Sequence, residues 1–194
     1  KVQKVGVALR KAYTPCIDAG MAGFFLKLVE FLDQAVKEVD DQLAKLICED
    51  HRIGRQIMFL GSIPGVSLVT GASMAAEICD VSRFPSDKRM VGYMGLAPSV
   101  YQSGSKRITG RITKRGSPHA RRAYYQAAMA IIRTGQNGSP ELVEFYKRVR
   151  SKKGHKVAAV ALSRKLATIT YHMLTRHQNY QAYLESEKER QEKG

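Results

Sequence analysis

Tryptophan is absent from this sequence, and aromatic residues account for only 8% of its 194 positions. Alanine is plentiful instead, a composition that favours closely packed helices over a β-sandwich. The sequence also lacks an uninterrupted apolar run of the roughly 20 residues that a membrane-spanning helix needs, and it has no apolar signal-peptide segment near its start. We therefore expect a mainly α protein with no membrane partner, located in the cytoplasm.

The cysteines are few and scattered along the chain. Cys16, Cys48 and Cys79 lie far apart and form no CxxC pair, a pattern typical of reduced, buried thiols in a cytosolic protein. The five histidines show no metal-binding spacing such as HExxH. The sequence therefore predicts neither a metal site nor a cofactor within these residues.

Acidic residues are missing where basic residues are most frequent. The net charge is +15, yet residues 1 to 105 hold 12 lysines and arginines against 11 acids. Residues 106 to 165 hold 16 cations, and their only acids are Glu141 and Glu144. Because a solvated surface would interleave the two signs, this concentration indicates a polyanionic partner, and nucleic acid is the commonest polyanion.

A heptad pattern dominates the first third of the chain. From Phe24 to Leu60, apolar residues recur every seven positions and predict a long amphipathic helix: Leu32, Val39, Leu46, Ile53 and Leu60. One interpretation is a coiled coil over residues 23 to 60 that forms a homo-oligomer, and the alternative is a core helix of the same domain. The preceding residues 1 to 22 are mixed in character and predict a connector.

Residues 59 to 80 have the pattern of a helix-hairpin-helix element. An apolar helix end, a Pro-Gly turn and a second helix of small residues follow one another, and Gly65 supplies the positive φ of the turn. Such a hairpin can present backbone N–H groups to a phosphate without reading bases. The usual second glycine is replaced by Ser67, and a plain turn between two helices is an equally weighted alternative.

The segment "GLAPSVYQSGSKRITGRITKRG", residues 95 to 116, contains no carboxylate. Its glycines and alternating pattern predict an ordered basic loop or short hairpin. A serine can attack phosphorus where nearby cations stabilise the developing negative charge, although a serine beside a glycine is also ordinary turn chemistry. The cations of this segment are Lys106, Arg107, Arg111, Lys114 and Arg115.

Two later helices are predicted to begin with a serine followed by a proline. Ser117 and Pro118 open the first, and Arg121 and Arg122 fall near its positive dipole end, where cations are locally unfavourable unless an anion binds there. The alternative is that both arginines extend into solvent. Ser139 and Pro140 open the second, a last helix runs from about 156 to 183, and the polar residues 185 to 194 are expected to be frayed or disordered.

One long string of this sequence resembles the C-terminal transposase domain of the IS110 family, the recombinases related to the Piv DNA invertase. The string is "SIPGVSLVTGASMAAEI…SRFPS…YMGLAPSVYQSGSKRITGRITKRGSPHARRAYYQAA…SRKLATITYHML", and the resemblance covers residues 24 to about 177. It implies that residues 61 to 184 form this domain and that a RuvC-like domain lies upstream. In this family that domain has an acidic tetrad, where Mg²⁺ is expected, and a structured bridge RNA guides the choice of DNA.

The same resemblance assigns roles to individual residues. It makes Ser103, before Gly104, the nucleophile that joins to DNA, with Ser99 and Ser105 as the reserve candidates. The phosphate-facing cations that it implies are Lys106, Arg107, Arg111, Lys114, Arg115, Arg121 and Arg122. The family's acidic tetrad has no counterpart in these residues, so we expect the chain to bind nucleic acid but to be inactive in recombination by itself.

Three functions are consistent with the sequence. The first is a recombinase domain that binds DNA and guide RNA and uses Ser103; its cellular place would be the nucleoid. The second is a helix-hairpin-helix module that binds nucleic acid without covalent chemistry, and the third is a purely structural oligomerisation module.

Nucleic-acid binding that weakens with salt separates the first two functions from the third. We expect this chain to shift a DNA duplex in a gel at moderate salt, with the logarithm of affinity falling by about 0.9 per logarithmic unit of salt for each phosphate neutralised. A chain that binds neither DNA nor RNA under these conditions would instead be a structural module.

Overall fold

A computed structural model describes residues 19–103, 106–135 and 138–192 of the protein. In the strand segments it gives the backbone alone for residues 100, 101, 103, 106–109 and 111. The chain divides into two compact units between Glu49 and Asp50. Within the described residues the fold is mostly helical, with seven α-helices and one two-stranded sheet, so the predicted mainly α class is confirmed. None of the described helices has the length and apolar character to cross a membrane.

The first unit contains helix α1, Ala19–Glu49. Leu43 is half-buried, but most of the other large apolar side chains of α1 are exposed, among them Phe24, Leu28, Leu32, Val36, Val39 and Leu46. The helix expected to continue to Leu60 is interrupted, because Asp50 adopts an extended conformation and caps a new helix. Ile57 and Leu60 of the second helix are buried, which fits the alternative of a core helix, whereas self-association through the first helix stays a prediction.

Asp50 begins helix α2, His51–Gly61, in the second unit. Its Oδ1 accepts hydrogen bonds from the backbone N–H groups of Arg52 at 2.9 Å and Ile53 at 3.1 Å. These bonds satisfy donors that the first turn leaves free, which is why an aspartate can stop one helix and start the next. The bond from Ile53 and the neighbouring positive charges also hold the pKa of Asp50 below its usual value.

A tight turn joins α2 to α3, Leu68–Ile78. The Val66 N–H donates to the Ile63 carbonyl at 3.0 Å, and Gly65 takes φ +86° after Pro64, the arrangement of a type II turn. Ser67 caps α3 by accepting from Thr70 N–H at 3.2 Å. The structure thus has the two helices and the tight turn between them. A nucleic-acid-binding helix-hairpin-helix function stays a prediction.

A short 3₁₀ turn, Val81–Arg83, leads to α4, Asp87–Tyr93. The predicted basic hairpin follows as β1, Pro98–Ser103, and β2, Lys106–Ile112, which pair antiparallel. Met90 and Val91 of α4 are buried, so the helix that precedes the hairpin is fixed in the core.

Helix α5, Pro118–Thr134, begins as predicted, with the Ser117 hydroxyl accepting from Ala120 N–H at 3.2 Å. Small residues let α5 pack closely on α3 and on α6, Pro140–Thr175. The core of this unit has large buried side chains that include Leu60, Met74, Met90, Tyr124, Ile131, Leu142, Leu162 and Leu166.

The C-terminal part differs from the prediction in two ways. The segment Pro140–Thr175, which we call α6, is two helical arms that meet at Gly154, where φ is +79° and ψ is 170°. The predicted start of a last helix near residue 156 is thus confirmed, but this second arm ends at Thr175 rather than near residue 183. The polar residues expected to be frayed are helical through Glu192, in α7, Tyr180–Glu192. Arg176, just after α6, forms an ion pair with Glu187 of α7 at 3.0 Å. Local sequence patterns do not predict this contact, because the two residues are eleven positions apart.

Two other expectations are corrected by the described side chains. Ser139 makes no capping bond; its buried hydroxyl lies 2.8 Å from the Tyr180 hydroxyl and ties α6 to α7. Cys48 and Cys79 are free thiols as expected, but both are exposed rather than buried. Cys16 lies outside the described residues.

Gly65 offers a direct test of the turn. A Cβ at this position would lie 3.1 Å from the Ile131 nitrogen and would also face a positive φ. We expect Gly65→Ala to lower the free energy of unfolding by about 1–3 kcal/mol. Gly61→Ala is the control, since no atom lies within 4 Å of its added Cβ, and thermal denaturation should show a change no larger than about 1 kcal/mol for it. Equal effects would contradict this packing.

Candidate nucleic-acid interface

The candidate nucleophile lies at the end of the hairpin. Ser103 is the last residue of β1, and its cross-strand partner is Lys106, the first residue of β2. The next pair joins Gln102 to Arg107. Two of the predicted cations are therefore the nearest described residues of β2 to Ser103. Ser105, a reserve candidate, and Gly104 lie outside the described residues.

Ser99, the other reserve candidate, lies at the opposite end of the same strand. The register shifts between Pro98 and Val100, so that Gly110 and Arg111 face Ser99 in a β-bulge. The Ser99 hydroxyl occupies the space that a side chain on Gly110 would need. Four positions of extended chain place the backbones of Ser99 and Ser103 about 13 Å apart, at opposite ends of β1.

The base of the hairpin is attached to the C-terminal end of α4. The Thr113 N–H donates to the Ala97 carbonyl at 2.9 Å, and the Ser117 N–H donates to the Tyr93 carbonyl at 3.3 Å. Gly116 has φ +146°, and a Cβ there would overlap the Tyr93 carbonyl oxygen. This close approach sets where the chain leaves β2 and enters α5.

Arg121 strengthens the same attachment. Its Nη1 donates to the Lys114 carbonyl at 3.3 Å. The guanidinium also covers Gly95, where an added Cβ would lie 2.6 Å from Nη1. A residue predicted to face phosphate thus bonds to the loop backbone, and Lys114 takes a positive φ of 55° in that loop.

The other described cations of this region are available to a partner. Lys114, Arg115 and Arg122 have exposed side chains, and no described residue forms an ion pair with them. The three ion pairs in the described part of the chain use Asp80 and Glu187, which lie outside the basic segment. Positive charge near the start of α5 therefore has no described internal counter-charge.

Arg83 is a cation near this site that the sequence did not single out. Its guanidinium carbon lies 4.5 Å from the centre of the Tyr93 ring and 4.8 Å from that of Phe84. Cation–π contacts of this kind orient an arginine without neutralising it. Ten residues separate Arg83 from Tyr93, so no local motif signals the pair.

The Gly65 turn is not part of the hairpin site. Gly65 packs against Ala130 and Ile131, near the end of α5, whereas Arg121 lies in its first turn. Ten helical residues separate Arg121 from Ile131, or about 15 Å. The Ser67 hydroxyl is engaged in capping α3. Gly65 thus lies away from Arg121, and the Ser67 hydroxyl serves its own helix.

The backbone positions of Lys106, Arg107 and Arg111 are defined on β2, but their side chains lie outside the description. In the described part of the chain, no three His, Cys, Asp or Glu side chains are grouped closely enough to hold a metal ion. The Mg²⁺ implied by the resemblance thus has no fitting site among these residues and stays an expectation for an upstream acidic domain.

Comparisons with known proteins connect this region to DNA rearrangement. Residues 58–147 match the family model described as transposase, IS116/IS110/IS902 family. The chain is 28% identical over 148 residues to the transposase for insertion sequence element IS1111A of Coxiella burnetii, covering 76% of this chain and 40% of that protein. It is 30% identical over 148 residues to the pilin gene-inverting protein of Moraxella bovis, covering 75% and 45% respectively.

A third similarity is to the insertion element IS900 uncharacterized 42 kDa protein of Mycobacterium paratuberculosis. The identity is 33% over 158 residues, which is 79% of this chain and 37% of that protein. The chain thus spans less than half the length of these curated relatives. The matched family segment contains α3, α4, the hairpin and α5, with Ser103 near its middle.

Adjacent arginines should separate support of the loop from phosphate binding. We expect Arg121→Ala to lower the free energy of unfolding by about 0.5–1 kcal/mol, because the Lys114 carbonyl loses its donor. Arg122→Ala should change it by less than about 0.5 kcal/mol, since the side chain is exposed. Urea denaturation measures both values.

The same two variants differ in the expected salt dependence of DNA binding. Arg122→Ala should reduce the slope of log affinity against log salt by about 0.9, the value for one phosphate contact. Fluorescence anisotropy over a salt series measures this slope. A larger loss of stability for Arg122→Ala than for Arg121→Ala would contradict the assigned roles.

Proposed function

Residues 58–147 form a transposase domain of the IS116/IS110/IS902 family, and on that basis we propose that this chain supplies the nucleophile of a DNA strand-exchange reaction. The proposed nucleophile is the Ser103 hydroxyl, and the proposed substrate is a DNA phosphodiester. The observation that carries this proposal is the position of Ser103 at the end of β1, paired with Lys106 and followed along β2 by Arg107.

The proposed reaction conserves the number of phosphoester bonds. Ser103 Oγ forms a bond to phosphorus as its hydroxyl loses a proton, and the bond from phosphorus to one deoxyribose oxygen breaks. That oxygen takes up a proton and leaves as a free hydroxyl. A deoxyribose hydroxyl from another strand then attacks the serine phosphoester, which joins the exchanged strands and restores the Ser103 hydroxyl.

The chain's cations would stabilise this reaction electrostatically. Negative charge accumulates on the non-bridging oxygens as phosphorus becomes five-coordinate, and fixed positive groups stabilise that state more than the starting phosphodiester. Lys106 and Arg107 are adjacent to Ser103 in the strand register, while Lys114, Arg115 and Arg122 are exposed near the hairpin base. Arg111, in the bulge, is a further phosphate ligand in this proposal.

A nucleic-acid guide and a second protein copy complete the proposal. The guide is a structured RNA that selects the DNA, a role that the family resemblance implies. The second copy would cover the apolar face of α1, where Phe31, Val36 and Val39 are each at least 60% exposed. A helix that leaves such a face uncovered gains stability by pairing with another helix.

The rival function is nucleic-acid binding without covalent chemistry. The exposed turn at Gly65 and the cap of α3 at Ser67 favour it, because exposed backbone N–H groups at a helix start can hold a phosphate. Both functions predict DNA binding that weakens with salt. The covalent adduct separates them.

Substitution of the three serines tests the proposed nucleophile. In the full-length protein that carries this chain, assembled with its RNA, Ser103→Ala should abolish the protein–DNA adduct while the dissociation constant for DNA stays within about twofold, a change below 0.5 kcal/mol. Denaturing electrophoresis of labelled DNA detects the adduct. Ser99→Ala and Ser105→Ala are matched controls and should retain it.

The outcomes of this experiment are distinct. An adduct that persists in Ser103→Ala and disappears in Ser105→Ala would move the reaction to the neighbouring hydroxyl. Wild-type protein that binds DNA tightly and never forms an adduct would favour the non-catalytic module.

A further inference from the structure

A second group of basic residues lies on α6, beyond the hairpin site. Within the ten residues from 147 to 156, six are lysine or arginine, and all six side chains are exposed. We call this group the kink patch, and its members are Lys147, Arg148, Arg150, Lys152, Lys153 and Lys156. The matched family segment ends at residue 147, so nearly all of the kink patch lies outside it.

The kink patch has no described internal counter-charge. The two carboxylates of residues 106 to 165, Glu141 and Glu144, lie on the same helix but form no ion pair with any described residue. Some of these cations lie near the C-terminal end of the first arm of α6, where the helix dipole is negative and stabilises positive side chains. It does not account for six exposed cations in succession with no carboxylate among them.

The backbone gives the kink patch a defined shape. Gly154 leaves the helical conformation at φ +79° and ψ 170°, and no atom lies within 4 Å of the place where a Cβ would be. Across this kink the buried Tyr146 hydroxyl lies 2.7 Å from His155 Nδ1, and the two rings meet edge to face at 6.0 Å. The hydrogen bond joins the two arms of α6 and limits the angle between them.

Aromatic rings also orient some of the basic side chains. The Arg148 guanidinium carbon lies 5.7 Å from the centre of the Phe145 ring, and that of Arg150 lies 6.0 Å from the Tyr146 ring. Lys165, from the second arm, has its Nζ 4.7 Å from the Phe145 ring. These contacts reduce the side-chain freedom that binding to an anion would otherwise remove.

We infer that the kink patch is a second nucleic-acid contact, which binds the phosphate backbone of duplex DNA separately from the hairpin. Lysine and arginine are the usual side-chain ligands of phosphate oxygens. The seven helical residues from 147 to 153 span about 10 Å, comparable to about three phosphates along one DNA strand. Leu142, Val143 and Tyr146 bury one face of the first arm, and its opposite, exposed face can approach the wide major groove of B-form DNA, whereas the major groove of A-form RNA is too narrow for a helix.

The choice of DNA as partner rests on the proposed function, but the test does not require strand exchange. The variant replaces Lys152, Lys153 and Lys156 by glutamine in this chain. Its control replaces Lys27, Lys37 and Lys45, three exposed lysines of α1, so that both proteins lose the same charge. Fluorescence anisotropy then measures the affinity for a DNA duplex of about 20 base pairs between about 50 and 200 mM salt.

We expect the kink-patch variant to reduce the slope of log affinity against log salt by about 2 to 3, since each phosphate contact contributes about 0.9. The control should change the slope by less than about 1. Equal slopes for the two variants would overturn the inference, because the lost lysines would then affect binding only through the net charge of the protein and not through local phosphate contacts. A variant that loses affinity for an RNA hairpin of equal charge while its DNA slope is unchanged would also overturn it.

Tyr146→Phe tests the hydrogen bond across the kink while keeping the ring. We expect DNA binding about twofold to tenfold weaker, with the slope unchanged, because the same cations remain but are less well positioned. Unchanged affinity would overturn the role given to the Tyr146–His155 contact. In parallel, Ser103→Ala should leave the slope unaltered, so a failed adduct assay and a failed kink-patch assay remain distinguishable.

Discussion

The close approach of Gly116 to the Tyr93 carbonyl fixes the position of the hairpin. This contact leaves no space for a side chain, and the Ser117 N–H bonds to the same carbonyl at 3.3 Å. As a result, the hairpin base, the loop after it and the first turn of α5 are held against helix α4, whose Met90 and Val91 are buried. Arg121 adds a bond to the Lys114 carbonyl, so the loop is fixed from both sides. A short two-stranded hairpin is marginally stable by itself, and these attachments supply what the sheet lacks.

Unpaired positive charge is the feature of this region that bears most directly on its function. The basic residues between 114 and 165, whose side chains are described, form no ion pair with another described residue. Repulsion among unpaired surface cations is tolerable in water because solvent and salt screen it. A bound polyanion would replace that screening and gain the entropy of the released counterions. The family of residues 58–147, which is that of DNA transposases, agrees with such a partner.

Features encoded locally were predictable from the sequence, and features that depend on distant residues were not. Ser117 and Pro118 start α5 as expected because a cap and a proline act within one turn. The helix break at Asp50 was not predicted, because the apolar heptad pattern continues on both sides of it. The cap that starts the new helix involves only Asp50 and the two backbone N–H groups that it binds. The ordered α7 was also missed, since it depends on Arg176 and on the Tyr180 hydroxyl that meets Ser139.

Within the candidate site, the sequence pointed to candidate residues but did not predict where each of them lies in the fold. The hairpin was one of two predicted forms, yet its register and bulge, which separate Ser99 from Ser103, depend on cross-strand pairing. Arg121 and Arg122 looked equivalent as neighbouring arginines. Only the folded loop gives Arg121 a carbonyl partner and leaves Arg122 exposed.

The central claim is that DNA contacts the hairpin and the loop that follows it, and lysine footprinting tests this most directly. The chain is acetylated briefly with and without a DNA duplex, and mass spectrometry gives the reactivity of each lysine. DNA is expected to protect Lys106 and Lys114, while Lys27, Lys37 and Lys45 of α1 stay reactive. Protection of the α1 lysines with unchanged reactivity at Lys106 and Lys114 would contradict it.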